Sequence, residues 1–303
     1  MIVFLHNDLD AIGCEMCIEE MPFKVSKIFY TNYGDFVEKC NQILEYAKTN
    51  NEKELLIADL SFAEHLEELK MLVNTFDSVL HIDHHSYPAN FFQKVIGKGR
   101  YKCKIDSTKC ASKICYELFN IENKQLKVLI DVIDVYDCWR TESKMFDKSQ
   151  NLNKYFWERG WDNFKQFKNK IPDDYNTTIT KILNREQEGI KKLRESNLVV
   201  RSKDNSQKIT FVFNHEFFNP VMVEEMNQGQ NFVVGIENGI VKFRIRKGVF
   251  DSCALDELRL LITGKVTGHP LAFTYVIGRD KMDVVREVQR IAKIIENHDI
   301  LPF

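Results

Sequence analysis

No apolar run in this 303-residue chain approaches the roughly 20 residues needed to cross a bilayer. The first residues read as a strand running into Asp8 and Asp10, so no secretory leader is expected there. An excess of basic charge is missing too: 42 Lys and Arg stand against 44 Asp and Glu, a formal net charge of −2. Without a global basic field, a long nucleic acid cannot be held by counterion release. A nucleotide substrate should be short and gripped locally, which favours nucleotides and short oligomers over duplex DNA. Internal repeats and low-complexity tracts are absent. Cysteine is not scarce, at eight, but it is scattered (14, 17, 40, 103, 110, 115, 138, 253). Cys14-Glu-Met-Cys17 has metal or redox spacing, yet no second such pair completes a zinc site. It falls in an apparent helix, where small buried side chains are the simpler reading. Free thiols and a cytoplasmic setting are expected.

Histidine is also sparse, and its distribution is informative. Of eight His in the chain, three fall within His81-Ile82-Asp83-His84-His85, directly after the apolar Ser78-Val79-Leu80. Two earlier segments have the same shape. Met1-Ile-Val-Phe-Leu5 runs into His6-Asn7-Asp8-Leu9-Asp10, and Leu55-Leu56-Ile57-Ala58 runs into Asp59. Three short apolar strands, each delivering carboxylate or imidazole at its C-terminal end, are what an open parallel α/β sheet needs to assemble a site along one edge.

Composition and length place the chain among ordinary globular proteins, with one large or two medium domains. Helices are expected over 11–20, 36–48 and 64–73, and strands over 1–5, 24–30, 55–58 and 79–82. This alternation predicts an α/β fold with a parallel sheet covered by helices on both faces. Helices over 111–119 and 125–135, and a helical cap continuing through 157–168, lead to a long charged helix over 177–197. The polar run 201–207 then breaks the periodicity. The expected domains are a catalytic one over 1–200, with its helical cap and linker helix from about 110, and a smaller C-terminal α/β domain over 208–303. The second domain should contain strands over 209–213, 232–236, 241–245 and 272–277, with a hairpin turn at Asn238-Gly239. Helices are expected there over 255–262 and 282–296.

Mixed imidazole and carboxylate donors suit Mn²⁺, Fe²⁺ or Zn²⁺, and the abundance of carboxylate oxygen tilts the choice toward Mn²⁺. His6, Asp8 and Asp10 alternate, so an extended segment points all three to one side. Asp8 and Asp10 can instead cap the helix that follows. Two cations about 3.5–4 Å apart need a bridging carboxylate, and Asp59, ending a central strand, is the natural candidate. Such a pair supports hydrolysis of a phosphate ester or anhydride. Asp83 suits the orientation of a neighbouring imidazole, and His85 suits a phosphoryl oxygen or the leaving oxygen. His81 reads as a packed histidine. Asp131, Asp134 and Asp137 recur every three residues, which a solvated acidic stripe also explains. Arg244 and Arg246 alternate along a strand and can pair with phosphate.

His6-x-Asp8-x-Asp10-Ala11, Asp59 and Asp83-His84-His85 resemble the first three motifs of the DHH phosphoesterases. Thr267-Gly268-His269-Pro270-Leu271-Ala272 is similar to the Gly-Gly-Gly-His-Pro signature of the companion DHHA1 substrate domain, with Val266-Thr267-Gly268 where the family has three glycines. HNDLDAIGC and VYDCWR look most like the branch that degrades very short RNA. The resemblance implies one metal on His6, Asp8 and Asp59, and a second on Asp10, Asp59, His84 and Asp137. The Tyr136-Asp137-x-Trp139 pattern selects Asp137 over Asp134 as the fourth-motif ligand. Many relatives place three residues between the histidine and the first aspartate, where this chain has one. Two divalent cations are implied, Mn²⁺ first, with Mg²⁺ or Co²⁺ as alternatives. Asp83 and His85 take the catalytic positions; Arg244, Arg246, Gly268 and His269 take the substrate-binding ones. The implied activity is hydrolysis of short single-stranded RNA from the 3′ end, releasing nucleoside monophosphates. Alternatives are hydrolysis of cyclic or linear dinucleotides or of 3′-phosphoadenosine 5′-phosphate, then of pyrophosphate or polyphosphate. No long duplex and no membrane partner is expected, and the protein should be a monomer or homodimer.

Overall fold

The computed structural model describes residues 1–303 apart from 33, 96–98, 202–207, 247, 250–251, 264–270 and 298–303, and apart from the side chains of 252, 253 and 297. The chain forms two compact units, Met1–Thr180 and Lys181–Phe303. The first contains β1 (Ile2–His6), α1 (Leu9–Glu19), β2 (Lys27–Thr31), α2 (Phe36–Asn50), β3 (Glu54–Ala58), α3 (Leu66–Thr75), β4 (Ser78–Asp83) and β5 (Tyr101–Ile105). The helices α4 (Ala111–Leu118), α5 (Lys124–Asp137), α6 (Phe146–Arg159) and α7 (Trp161–Phe164) follow, and α8 (Tyr175–Glu195) spans the division. That division lies ahead of the polar run at 201–207.

The first sheet has strand order β2-β1-β3-β4-β5, every pairing parallel. A parallel strand buried on both faces needs side chains that are apolar throughout, and Ile2, Val3, Phe4 and Leu5 are all fully buried. Strand order reverses between β1 and β3, and in such sheets the crevice outside the carboxyl ends at the reversal is where ligands bind. β1 ends there at His6, β3 at Ala58 just before Asp59, and β4 at Asp83.

One face of the sheet carries a core of Phe4, Phe36, Phe62, Leu69, Leu72 and Phe76, supplied largely by α2 and α3. On the other side α1 is buried over most of its length, from Leu9 to Ile18. A helix apolar on every side belongs between layers. Its close neighbour α4 is admitted by Gly13, where an added Cβ would lie 2.7 Å from the Ser112 Cβ. Buried Glu15 then ties the cap to α1, accepting from Tyr30 at 2.9 Å, Lys165 at 2.5 Å and the Trp161 indole. The helical cap continues through 157–168 in pieces: α6 stops at Arg159, where Gly160 turns the chain at φ +75°, and α7 and a 3-10 turn over Lys165–Lys168 follow.

The second unit contains β6 (Val199–Arg201), β7 (Ile209–Val212), α9 (Phe218–Asn227), β8 (Phe232–Glu237), β9 (Ile240–Ile245), α10 (Ser252–Thr263), β10 (Ala272–Val276) and α11 (Lys281–Asn297). Its sheet runs β10-β9-β8-β7-β6, parallel only between β7 and β8. Asn238 and Gly239 turn β8 into β9 with φ of +51° and +78°, the left-handed pair that a two-residue hairpin requires. α10 and α11 cover one face around Phe243, Leu258 and Ile291. α9 lies on the opposite face, where Phe218 packs on Gly235 and buried Glu225 accepts from Thr210 and Arg201. Among the described residues, no helix is long and apolar enough to cross a membrane.

Candidate metal centre

Asp8 begins the site. Its Oδ1 accepts from the amides of Asp10 and Ala11 at 3.1 and 3.0 Å, starting α1 as an N-cap, while Oδ2 lies 2.7 Å from His6 Nδ1. Capping and site-building are therefore the work of two different oxygens on one carboxylate. Burial pushes the Asp8 carboxyl up, but His6 and the Ala11 amide outweigh it and hold it well below the ordinary carboxylate range. Burial likewise disfavours the charged form of His6, and Asp8 more than offsets this, raising its pKa.

Asp10 turns toward α4, accepting from the amides of Ala111 at 2.6 Å and Ser112 at 3.0 Å. A carboxylate at a helix N-terminus meets the positive end of the dipole and two otherwise unpaired donors. Asp59 is 2% exposed and adopts φ +58°, a left-handed conformation that costs a non-glycine residue about 1 kcal/mol. Its amide still bonds Ile82 O at 3.0 Å, so the turn out of β3 is anchored to β4.

His84 Nε2 lies 3.3 Å from Asp59 Oδ1 and 3.4 Å from Asp137 Oδ2, and His6 Nδ1 lies 4.0 Å from Asp59 Oδ2. Three groups of donor atoms result, each within 4.8 Å: His6, Asp8 and Asp59; Asp10, His84 and Asp137; and Asp59, Asp83, His84 and His85. Asp59 belongs to two of them and reaches His84 of the other. Burial, then the charges of Asp8, Asp10 and Asp137, push the Asp59 carboxyl well above its ordinary range. Burial with Asp10 and Asp8 does the same to Asp137. Asp59 Oδ2 and Asp137 Oδ2 are buried without a hydrogen-bond partner. Two orphaned carboxylate oxygens amid converging carboxylates and imidazoles are what a divalent cation relieves, so the donor set fits a metal centre.

The other two acidic residues on α5 turn elsewhere. Asp134 accepts from the Cys110 amide at 2.9 Å and from Arg140 at 3.2 Å, and Asp131 pairs with Lys113 and Lys127. His81 is fully buried, with Nδ1 2.7 Å from the Tyr101 hydroxyl and Nε2 2.9 Å from Leu60 O, and it is a packed histidine. Cys14 and Cys17 are buried, and among the described residues no cysteine joins a metal-capable group.

Asp83 is fully buried and accepts from the His84 amide at 2.8 Å; its Oδ1 also lies 2.7 Å from His85 Nδ1. Tyr87 donates to its second oxygen at 2.5 Å. Burial raises the Asp83 pKa, but His85, His81 and Tyr87 together hold it well below the ordinary range. It stands as a charged partner beneath His85.

No protein-family model matches the chain. A curated relative, oligoribonuclease NrnB from Bacillus subtilis, is 26% identical over 171 residues, 54% of this chain and 43% of that protein. The chain therefore matches less than half the length of this curated relative. RecJ from Thermus thermophilus, solved in complex with Mn²⁺, superposes with a TM-score of 0.65 at 12% identity, covering 98% of this chain and 52% of that one. A pGpG-specific phosphodiesterase, PggH from Vibrio, gives a TM-score of 0.51 at 13% identity, covering 98% and 99%. The chain has the DHH/DHHA1 two-domain fold of its RecJ-like neighbours. The parallel sheet with its helices corresponds to the DHH domain of that fold, and the mixed sheet to its DHHA1-like domain.

In the DHHA1-like domain, Arg244 on β9 lies over the Phe218 ring at 5.7 Å, and Arg246 follows the strand with its amide on Asn231 O. Gly268 and His269 lie outside the described residues. Two residues that the motif reading passed over stand on this face. Lys242 precedes Arg244 by two positions and pairs in register with Gly235, and His215 Nε2 is buried without a hydrogen-bond partner. The i, i+2 spacing of Lys242 and Arg244 was the available signal; His215 had none, standing alone after β7. Tyr87 was missed in the same way, as one of ten tyrosines.

Proposed function

We propose that the chain is a two-metal phosphodiesterase that hydrolyses short single-stranded RNA, removing nucleotides from the 3′ end as monophosphates. The observation that carries this reading is the pair of orphaned oxygens on Asp59 and Asp137 within a carboxylate–imidazole cluster at the sheet's switch point. The likeness to NrnB supports the substrate class. His6, Asp8 and Asp59 would hold one cation, and Asp10, Asp59, His84 and Asp137 the other. Mn²⁺ is the ion assigned, in keeping with the metal bound by RecJ. When bound, the cations lower the pKa of a water and neutralise charge developing on the phosphoryl group.

The chain's own residues supply the rest. Asp83 holds His85 through Nδ1, leaving Nε2 to carry a proton to the departing ribose oxygen. Arg244 and Arg246, with Gly268 and His269, are assigned to the substrate's phosphates. The near-balanced charge limits the grip to short substrates. Free cysteines among the described residues suit a reducing cytoplasm.

The test is a panel of RNA dimers and longer oligomers, linear and cyclic dinucleotides, 3′-phosphoadenosine 5′-phosphate and pyrophosphate, each with Mn²⁺-loaded and metal-stripped protein. Metal-dependent release of monophosphates from short RNA supports the reading. Turnover confined to one dinucleotide would assign the site to a narrower activity of the PggH kind, and turnover confined to pyrophosphate would overturn the reading.

A further inference from the structure

We propose that Tyr87 is a positioning residue for the leaving-group step, joining the turn after Asp59 to the Asp83–His85 pair; the inference rests on the phosphodiesterase reading above. Its hydroxyl donates to Asp83 Oδ2 at 2.5 Å and accepts from the Phe62 amide at 3.3 Å. Burial and the Asp83 charge push the phenol's pKa upward, so it remains a donor.

Hydrogen-bond direction then runs one way through the network. The Phe62 amide donates to Tyr87, Tyr87 to Asp83 Oδ2, and His85 Nδ1 to Asp83 Oδ1. Leu60, one residue past Asp59, has its carbonyl 2.9 Å from His81 Nε2, so the same turn is held a second time from β4. With Tyr87 in place, Asp83 is fixed on both oxygens and fixes the His85 ring in turn. The Nδ1 proton stays on the ring, directed at Asp83 Oδ1, and Nε2 is the ring's other proton carrier.

In the step served, the water oxygen bonds to phosphorus as the bond from phosphorus to the ribose oxygen breaks. That oxygen takes the proton from His85 Nε2; solvent accepts the proton released by the water and restores the one on His85. An alternative is that Tyr87 only fills space. Its ring packs on Phe91 and Phe92 at 4.9 and 4.6 Å, contacts that Tyr87→Phe preserves, so that variant isolates the hydroxyl.

The experiment compares two substrates of the full-length, Mn²⁺-saturated protein. A ribose oxygen leaving an RNA dinucleotide needs a proton; a nitrophenolate leaving the p-nitrophenyl ester of a nucleoside 5′-monophosphate does not. Tyr87→Phe should keep its Mn²⁺ content and KM, lose about tenfold in kcat on the dinucleotide, and stay within about twofold on the nitrophenyl ester. Tyr101→Phe removes another hydroxyl of the network, the one on His81, and should leave the ratio of the two rates at the wild-type value. Equal loss on both substrates, or no loss on either, would overturn the role of Tyr87 alone. Wild-type protein that hydrolyses neither ester would overturn the phosphodiesterase reading together with it.

Discussion

Asp59 concentrates more of the site in one side chain than any other residue. It leaves β3 in a left-handed turn, is buried, faces both His6 and His84, and has an oxygen with no hydrogen-bond partner. Asp59→Ala should therefore remove more than one equivalent of metal and lower kcat by about a thousandfold or more, the scale lost with a central catalytic group. Elemental analysis beside a turnover assay checks both. His84→Ala should empty one site, because His84 faces Asp59 and Asp137, whereas His85→Ala should retain both metals and lose rate, because His85 is held by Asp83. Equal metal loss in the two variants would contradict this division. The convergence of these residues was legible because each lies within a few positions of an apolar strand's end. The choice of Asp137 was not legible from periodicity. Trp139 turns the chain at φ +50°, and Arg140 folds back onto Asp134, so two aspartates one helical turn apart face different partners.

At the scale of elements, the α1–α4 crossing positions Asp10. Gly13 permits the approach, and Ala111 and Ser112 present their amides to the Asp10 carboxylate. Gly13→Val should destabilise the protein by about 1–3 kcal/mol through overpacking, and weaken Mn²⁺ affinity as α4 is displaced from Asp10. Urea denaturation and metal titration measure the two effects; unchanged affinity in a destabilised variant would separate the crossing from the site. The parallel strands of the first sheet were plain in the sequence because their apolar runs are continuous. β5 was not, since Tyr101-Lys-Cys-Lys-Ile105 is an edge strand with Lys102 and Lys104 exposed, and it carries too little apolar signal. α9 was missed for a different reason: Asn219-Pro220 falls within its first turn and gives no helical signal, and Phe218 there packs over Gly235.

For the molecule as a whole, the six metal-assigned side chains all lie in the unit Met1–Thr180. Mn²⁺ at about 100 times its dissociation constant should stabilise that unit by about 2.7 kcal/mol, with chelation reversing the gain. In calorimetry its transition should rise by several degrees while that of the second unit stays in place. Balanced charge sets a second expectation: turnover should fall steeply as RNA grows beyond about five nucleotides, since no basic track holds the remainder. Equal rates on a dinucleotide and on a long oligomer would point instead to an open groove.

The two-metal assignment is tested most directly by titrating Mn²⁺ into metal-free protein while following both bound metal and hydrolysis of a labelled RNA dinucleotide. Two equivalents should bind per chain, with turnover appearing only as the second site fills. Full turnover with one equivalent or none, or no turnover with two equivalents bound, would contradict it.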